Sequence, residues 1–260
     1  MNSLSSARRS RYAPRVLVLL ALLLTAVLYS AAMPLADAQT GSSASEVEAG
    51  QTLFQANCSY CHGVNGEGTD AGPTLVGVGA AAVDFQVGTG RMPMAASSAV
   101  QALPKPVQFS QDEISQMAAF VATLGEGPAI PSASQVDPAK GDPANGMALF
   151  RTNCSMCHNA TGAGGALTGG KVAPSIQETT PVHLYEAMLT GPQAMPVFPD
   201  ASITAEGKRD IIAFIATQQD TSPGGLELGS VGSVGEGVWV WLLGIGTLIG
   251  IAVWVGAKSS

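Results

Sequence analysis

Asn57-Cys58-Ser59-Tyr60-Cys61-His62 and Asn153-Cys154-Ser155-Met156-Cys157-His158 carry two copies of C-x-x-C-H, and together they use all 4 cysteines of the chain. Two cysteines three apart, on a turn that opens a helix, can both form thioethers to one porphyrin. The histidine that follows then reaches the iron as proximal ligand. This spacing is the attachment signal of c-type haem. A disulfide framework leaves both histidines unexplained. A Cys₄ zinc or dithiol redox site explains the cysteines alone. The sequence therefore predicts two covalently bound haem c groups. Cys58, Cys61, Cys154 and Cys157 supply the thioethers, and His62 and His158 are the proximal iron ligands.

The repeat is wider than the motif. Gly50, Leu53, Phe54 and Asn57 recur as Gly146, Leu149, Phe150 and Asn153. Further on, Ile114–Leu124 parallels Lys208–Gln218, each an amphipathic helix, with Phe120 matching Phe214. These matches predict an all-α fold of two tandem domains, residues 45–125 and 144–220. The segment 126–143 between them is rich in Gly, Pro, Ser and Ala and reads as a linker. Each domain reads as a helix before the motif, a loop rich in Gly and Pro, a short helix and a last helix. The apolar core of so small a domain is meagre, so the haem is expected to complete it, and folding is expected to depend on the haem.

A low-spin electron-transfer haem needs a sixth ligand, commonly methionine. Domain one offers Thr89-Gly90-Arg91-Met92-Pro93-Met94, and domain two offers Thr190-Gly191-Pro192-Gln193-Ala194-Met195-Pro196. Both place Met-Pro after Thr-Gly, and proline stiffens the loop beyond the ligand. Met92 and Met195 are the expected distal ligands. Met94 competes with Met92, Met188 with Met195, and all four can also be read as core methionines. Met33-Pro34, near the N-terminus, shows that the dipeptide alone decides nothing.

Each proximal imidazole needs an acceptor for its other nitrogen. Backbone carbonyls at Pro73 and Pro174, downstream of the two histidines, are suited to that role. His183, the remaining histidine, reads as a surface position on a helix. Arg91 fits either a propionate partner or a solvated surface site. No Ser/His/Asp triad, phosphate loop or second metal site is legible.

The ends of the chain read as membrane sequence. Arg8, Arg9, Arg11 and Arg15 precede an apolar run from Val16 to about Ala32, and Ala36-Asp37-Ala38 follows as an A-x-A site. Residues 1–38 are then a signal peptide cleaved after Ala38, or an N-terminal anchor if retained. A second apolar run, Val238 to Val255, spans about 27 Å as a helix, close to one hydrocarbon core. Trp239 and Trp241 lie at one end of it and Trp254 at the other, as interfacial belts do. Residues 236–256 are the expected transmembrane helix, with a buried core helix as the competing reading. The arginines and Lys258 put both ends on the cytoplasmic side and the haem domains on the extracytoplasmic side. Charged residues are 12% of the chain and the net charge is −7, which argues against a nucleic-acid partner.

Phe85-Gln-Val-Gly-Thr-Gly-Arg-Met92-Pro, Met188-Leu-Thr-Gly-Pro-Gln-Ala-Met195-Pro and the Trp-rich tail ending near Lys258 resemble the diheme cytochrome c subunit of actinobacterial cytochrome bcc complexes. The resemblance runs from Glu48 nearly to the C-terminus. It implies two class I cytochrome c domains tethered by the C-terminal helix to a cell membrane. It implies a menaquinol:cytochrome c reductase, a translocase, in which this chain is the electron-transfer subunit without acid–base chemistry of its own. The partners it implies are a cytochrome b subunit, a Rieske iron–sulfur subunit, an aa₃-type oxidase in a supercomplex, and lipid. One haem would receive electrons from the Rieske centre and the other would pass them to the oxidase. The competing readings are a free-standing anchored diheme carrier and a diheme peroxidase. A peroxidase needs an open sixth position, which two Met-Pro loops argue against.

Overall fold

The structure is a computed structural model that describes residues 15, 18–25, 42–94, 99–220 and 233–257. The Ala36-Asp37-Ala38 site, Arg8, Arg9, Arg11 and Lys258 lie outside the described residues. The chain divides into two units, Met1–Ser43 and Ala44–Ser260. In the first, residues 18–25 are helical with exposed leucines.

The second unit opens with four helices, α1 Ala44–Asn57, α2 Ser59–His62, α3 Gly79–Gly88 and α4 Gln111–Ala122. After the short α5, Ala133–Val136, the pattern repeats as α6 Pro143–Asn153, α7 Ser155–His158, α8 Pro181–Thr190 and α9 Ala205–Asp220. A two-stranded antiparallel hairpin, β1 Gly165–Ala166 with β2 Val172–Ala173, lies between α7 and α8 in the chain. The sequence reading had no counterpart for it. Last comes α10, Ser233–Ala257.

Local chemistry sets the helix starts. Ser110 and Glu113 form a reciprocal capping box at α4. Asp142 accepts from the Ala144 and Asn145 amides ahead of α6, and Thr180 accepts from the His183 amide ahead of α8. Pro143 and Pro181 each take the first helical position, where no amide hydrogen is needed.

In both repeats the first helix crosses the last at a glycine. A Cβ on Gly50 would stand 1.9 Å from the Gln116 carbonyl oxygen, and one on Gly146 would stand 1.8 Å from that of Asp210. No other side chain permits so close an approach of two backbones. Beside each crossing two phenylalanines meet, Phe54 with Phe120 at 5.1 Å and Phe150 with Phe214 at 5.4 Å between ring centroids. These tilted pairs sit in the favourable range for aromatic contact.

Two separate cores result. One gathers Phe54, Val83, Val87, Ile114, Met117 and Phe120. The other gathers Phe150, Leu184, Tyr185, Ile211, Ile212 and Ile215. The segment between the domains is itself packed. Pro128 accepts a hydrogen bond from the Ala81 amide at 3.1 Å, and Val136 is buried in the second core.

The two domains touch. Helix α3 of the first packs against α8 of the second. Gln101 pairs with Val172 twice, donating to its carbonyl at 2.8 Å and accepting from its amide at 2.9 Å, as an added strand residue would. In α10 the 18 residues Val240–Ala257 carry no charged side chain and none is buried. It is the one described helix long and apolar enough to cross a membrane.

Candidate functional site

Both C-x-x-C-H motifs sit on the same scaffold. Helix α1 ends as the Cys58 amide donates to Phe54 O at 2.8 Å, and the His62 amide then donates to Cys58 O at 3.0 Å. The second motif repeats this with Cys154 to Phe150 at 2.8 Å and His158 to Cys154 at 2.9 Å. The loop after each histidine is pinned in matching fashion, by Leu75 N to Gly66 O at 2.7 Å and Ile176 N to Gly162 O at 2.8 Å.

That loop delivers the carbonyls expected to orient the imidazoles. His62 Nδ1 is 2.8 Å from Pro73 O, and His158 Nδ1 is 3.0 Å from Pro174 O. A carbonyl can only accept, so Nδ1 carries the proton and Nε2 keeps its lone pair. Burial lowers the proton affinity of His158, against the opposing pull of the Pro174 carbonyl. Its imidazole is therefore a neutral base at physiological pH, the form that binds metals.

The cysteines are half-buried and unpaired with one another. Burial first, and the neighbouring thiol second, push Cys58 and Cys154 each up to about 11. Such thiols are protonated at neutral pH and lack the lowered pKa of redox-active cysteines.

In the second domain Cys154, Cys157, His158 and Met195 line one apolar crevice together with Phe150 and Leu184. Its volume, counted out to the open mouth, is about 1130 Å³. Met188 lines it too, from α8. In the first domain Cys58 and Met92 both pack against the core formed by α1, α3 and α4. Met92 is held by its amide, which donates to Gln86 O at 2.9 Å. Met195 is held by its own amide on Pro192 O at 3.0 Å.

The wall of the second crevice is not wholly its own. Phe85, Thr89, Arg91 and Gln101, all from the first domain, complete it. The Arg91 guanidinium lies 4.8 Å over the Phe85 ring, and burial lowers its pKa. Sequence reasoning left Arg91 between two roles; the residue faces the neighbouring domain's crevice and is not a solvated surface group.

His183 departs from its expected surface position. Its side chain is 18% exposed, and its Nε2 lies 3.7 Å from Asp84 Oδ2 of the first domain. Glu186, one helical turn on, is fully buried. Burial first, and the Asp84 charge second, push Glu186 up to about 9. Burial raises Asp84 as well, but hydrogen bonds from His183 and Gln111 outweigh it and hold Asp84 below its usual range. The spacing His183-Leu-Tyr-Glu186 signals that the two share a helix face. Asp84, distant in sequence, gives no such signal.

Two helical domains, each with a C-x-x-C-H turn, a carbonyl-oriented histidine and a methionine against the same core, define a c-type cytochrome with covalently bound haem c. The residues present fit that group: an apolar crevice, paired thiols at one side and an imidazole nitrogen left free. Residues 47–125 match the family model described as cytochrome c, and residues 141–215 match the one described as cytochrome C oxidase, cbb3-type, subunit III. The cytochrome bc1 complex cytochrome c subunit of Corynebacterium efficiens is 43% identical over 81% of this chain and 76% of its own length. That of Corynebacterium diphtheriae is 41% identical over 90% of this chain and 89% of its own length, and that of Mycobacterium tuberculosis H37Rv 40% identical over 96% and 92%. The chain belongs to this family, the cytochrome c subunits of the cytochrome bc1 complex, and its function is electron transfer.

Proposed function

We propose that the chain is the membrane-anchored diheme cytochrome c subunit of a respiratory menaquinol:cytochrome c reductase. In this reading it relays electrons from a Rieske iron–sulfur centre to an aa₃-type terminal oxidase. It binds two haem c. Cys58 and Cys61 would tether one, with His62 and Met92 as its iron ligands. Cys154 and Cys157 would tether the other, with His158 and Met195. Haem c supplies a one-electron couple. The chain's own residues set where and how strongly the electron is held. Pro73 and Pro174 hold the imidazoles in one tautomer, which fixes the ring plane and raises ligand basicity. Thioether sulfur is soft and favours the reduced metal. Met92 is favoured over Met94 because it is Met92 that packs with Cys58 on the first core.

The observation that carries the relay is the shared wall. Arg91 directly precedes Met92 in the chain, yet lines the crevice that holds His158 and Met195. A crevice walled in part by the neighbour of Met92 suits transfer between the two sites, and the half-buried cation favours the reduced form of whatever occupies the second. Helix α10 supports tethering to a cell membrane, and the proposed extracytoplasmic side of the haem domains rests on the basic residues flanking the two apolar runs. The partners proposed are a cytochrome b subunit, a Rieske subunit and the oxidase.

Purification through a tag on this chain tests the reading. Haem-stained blue-native gels should show a band far above monomer size, and the three partners should be identified in it. A pyridine haemochrome spectrum should give two haems c per chain. A haem band at monomer size alone would leave a free-standing carrier instead.

A further inference from the structure

The interface between the domains contains a buried polar cluster that electron transfer does not use. His183 and Glu186 stand three apart on α8, so both project from one face. Asp84 meets them from α3. One ligating atom from each, an imidazole nitrogen and two carboxylate oxygens, lies within 4.8 Å of the other two. Asp84 is 3% exposed and Glu186 is 0% exposed. The approach is made possible by Gly88, whose missing Cβ would stand 3.0 Å from His183 Nε2.

Charge makes this an unusual interior. Two carboxylates are buried with a single imidazole to balance them, and an unpaired buried charge costs several kcal/mol. Asp84 is partly provided for, since Gln111 Nε2 donates to its Oδ1 at 2.8 Å. That bond fixes the carboxylate and leaves Oδ2 turned to His183. Neither oxygen of Glu186 has a hydrogen-bond partner among the described residues. A proton on Glu186 would let its hydroxyl donate to Asp84, which removes one charge but leaves the second Glu186 oxygen without a partner. A divalent cation balances both carboxylates at once and takes an oxygen of each as a ligand.

We propose that Asp84, His183 and Glu186 bind one divalent cation of the zinc type, which pins the first haem domain to the second. One imidazole nitrogen and two carboxylate oxygens form a borderline donor set, suited to zinc over the harder magnesium or calcium. Bond lengths of about 2.0–2.2 Å draw the three ligands together by side-chain rotation. The fourth position is left to water. Gln111 acts behind the site by orienting Asp84, as outer partners of metal ligands do. The cation would be structural, and it is separate from both C-x-x-C-H motifs.

The test uses the full-length haem-loaded chain in detergent, stripped with chelator, dialysed against zinc chloride and then freed of excess. Zinc and iron are counted together by plasma mass spectrometry. One zinc per chain is expected, with a rise in the thermal midpoint on loading. Asp84→Asn, His183→Gln and Glu186→Gln should each weaken zinc binding tenfold or more while iron content stays the same. Zinc retention equal in the wild type and in Glu186→Gln would overturn the site and leave a proton-sharing carboxyl pair. X-ray absorption at the zinc edge reads the wild type alone, so it stands even if the variants misfold. A shell of nitrogen and oxygen supports the proposal, and a shell containing sulfur, from unattached cysteines, overturns it. Iron counts below two per chain would weaken the diheme reading without touching this one.

Discussion

Gly146 lies against the backbone of Asp210 so closely that a methyl group there would fall 1.8 Å from the carbonyl oxygen. The Asp210 side chain is tied to the helix that carries Gly146, accepting from the Asp142 amide at 2.8 Å and from Asn145 Nδ2 at 2.7 Å. The crossing therefore cannot relax by sliding one helix along the other. Gly146→Ala is expected to destabilise the second domain by about 3 kcal/mol, at the upper end of overpacking costs. Gly50→Ala should do the same to the first domain. Thermal melts followed by circular dichroism in the haem band check this, and an unchanged midpoint in either variant would contradict it.

Removing a soft axial ligand should lower one potential at a time. Met195→Ala and Met92→Ala are each expected to drop a single haem by on the order of 0.1 V, within the roughly 0.8 V that axial ligands span. Spectroelectrochemical titration resolves the two steps. Loss of the far-red sulfur–iron absorbance should accompany the drop, and its persistence in Met92→Ala would transfer the role to Met94.

Arg91 belongs to the first domain by sequence but should act on the second. Arg91→Gln removes a half-buried cation from that crevice wall. The second haem's potential should fall by tens of millivolts, and Arg91→Lys should restore most of it. An equal fall in both potentials would instead indicate a disturbed Met92 loop.

Lys208 is fully buried, with its ammonium on Asp200 Oδ1 at 2.6 Å and on Ile203 O at 2.7 Å. It ties the segment after Met195 to α9. Lys208→Met keeps the bulk and loses both bonds, at an expected cost of about 2 kcal/mol. Denaturant unfolding measures it. A loosened Met195 loop should also show as weaker far-red absorbance.

Acid should loosen the cap of α4. The Ser110 amide, then the Ser110 hydroxyl, hold the Glu113 carboxyl below its ordinary 4.5. A depressed carboxyl contributes stability above its unfolded value and loses it as pH falls further. Ser110→Ala should therefore lower the first domain's thermal midpoint by a few degrees at pH 7. The gap to wild type should shrink below about pH 4.5, where Glu113 takes up its proton. A gap constant between pH 7 and pH 3 would count against the capping box.

The local pattern carried a great deal. Phe120 was paired with Phe214 by position alone, and each indeed meets the phenylalanine that precedes its own C-x-x-C-H turn. The acceptors at Pro73 and Pro174 followed from the need of each imidazole for a carbonyl. What stayed hidden depends on how one domain meets the other. His183 reads as a surface residue because α8 taken alone is amphipathic, and nothing nearby in sequence reports that α3 will cover it. Gln101 is unremarkable until Val172 is set beside it. The β1–β2 hairpin is two residues per strand, too short to leave a period.

The shared wall also has a consequence for the order of biogenesis. A chain is synthesised from its N-terminus, so Phe85, Thr89, Arg91 and Gln101 exist before Cys154 does. The first domain can then serve as a template against which the later one closes. The reverse is not available, since a fragment beginning after residue 125 would present its crevice with one side open to water. Maturation of this chain thus has a direction, with the second crevice complete only once the first domain lies against it.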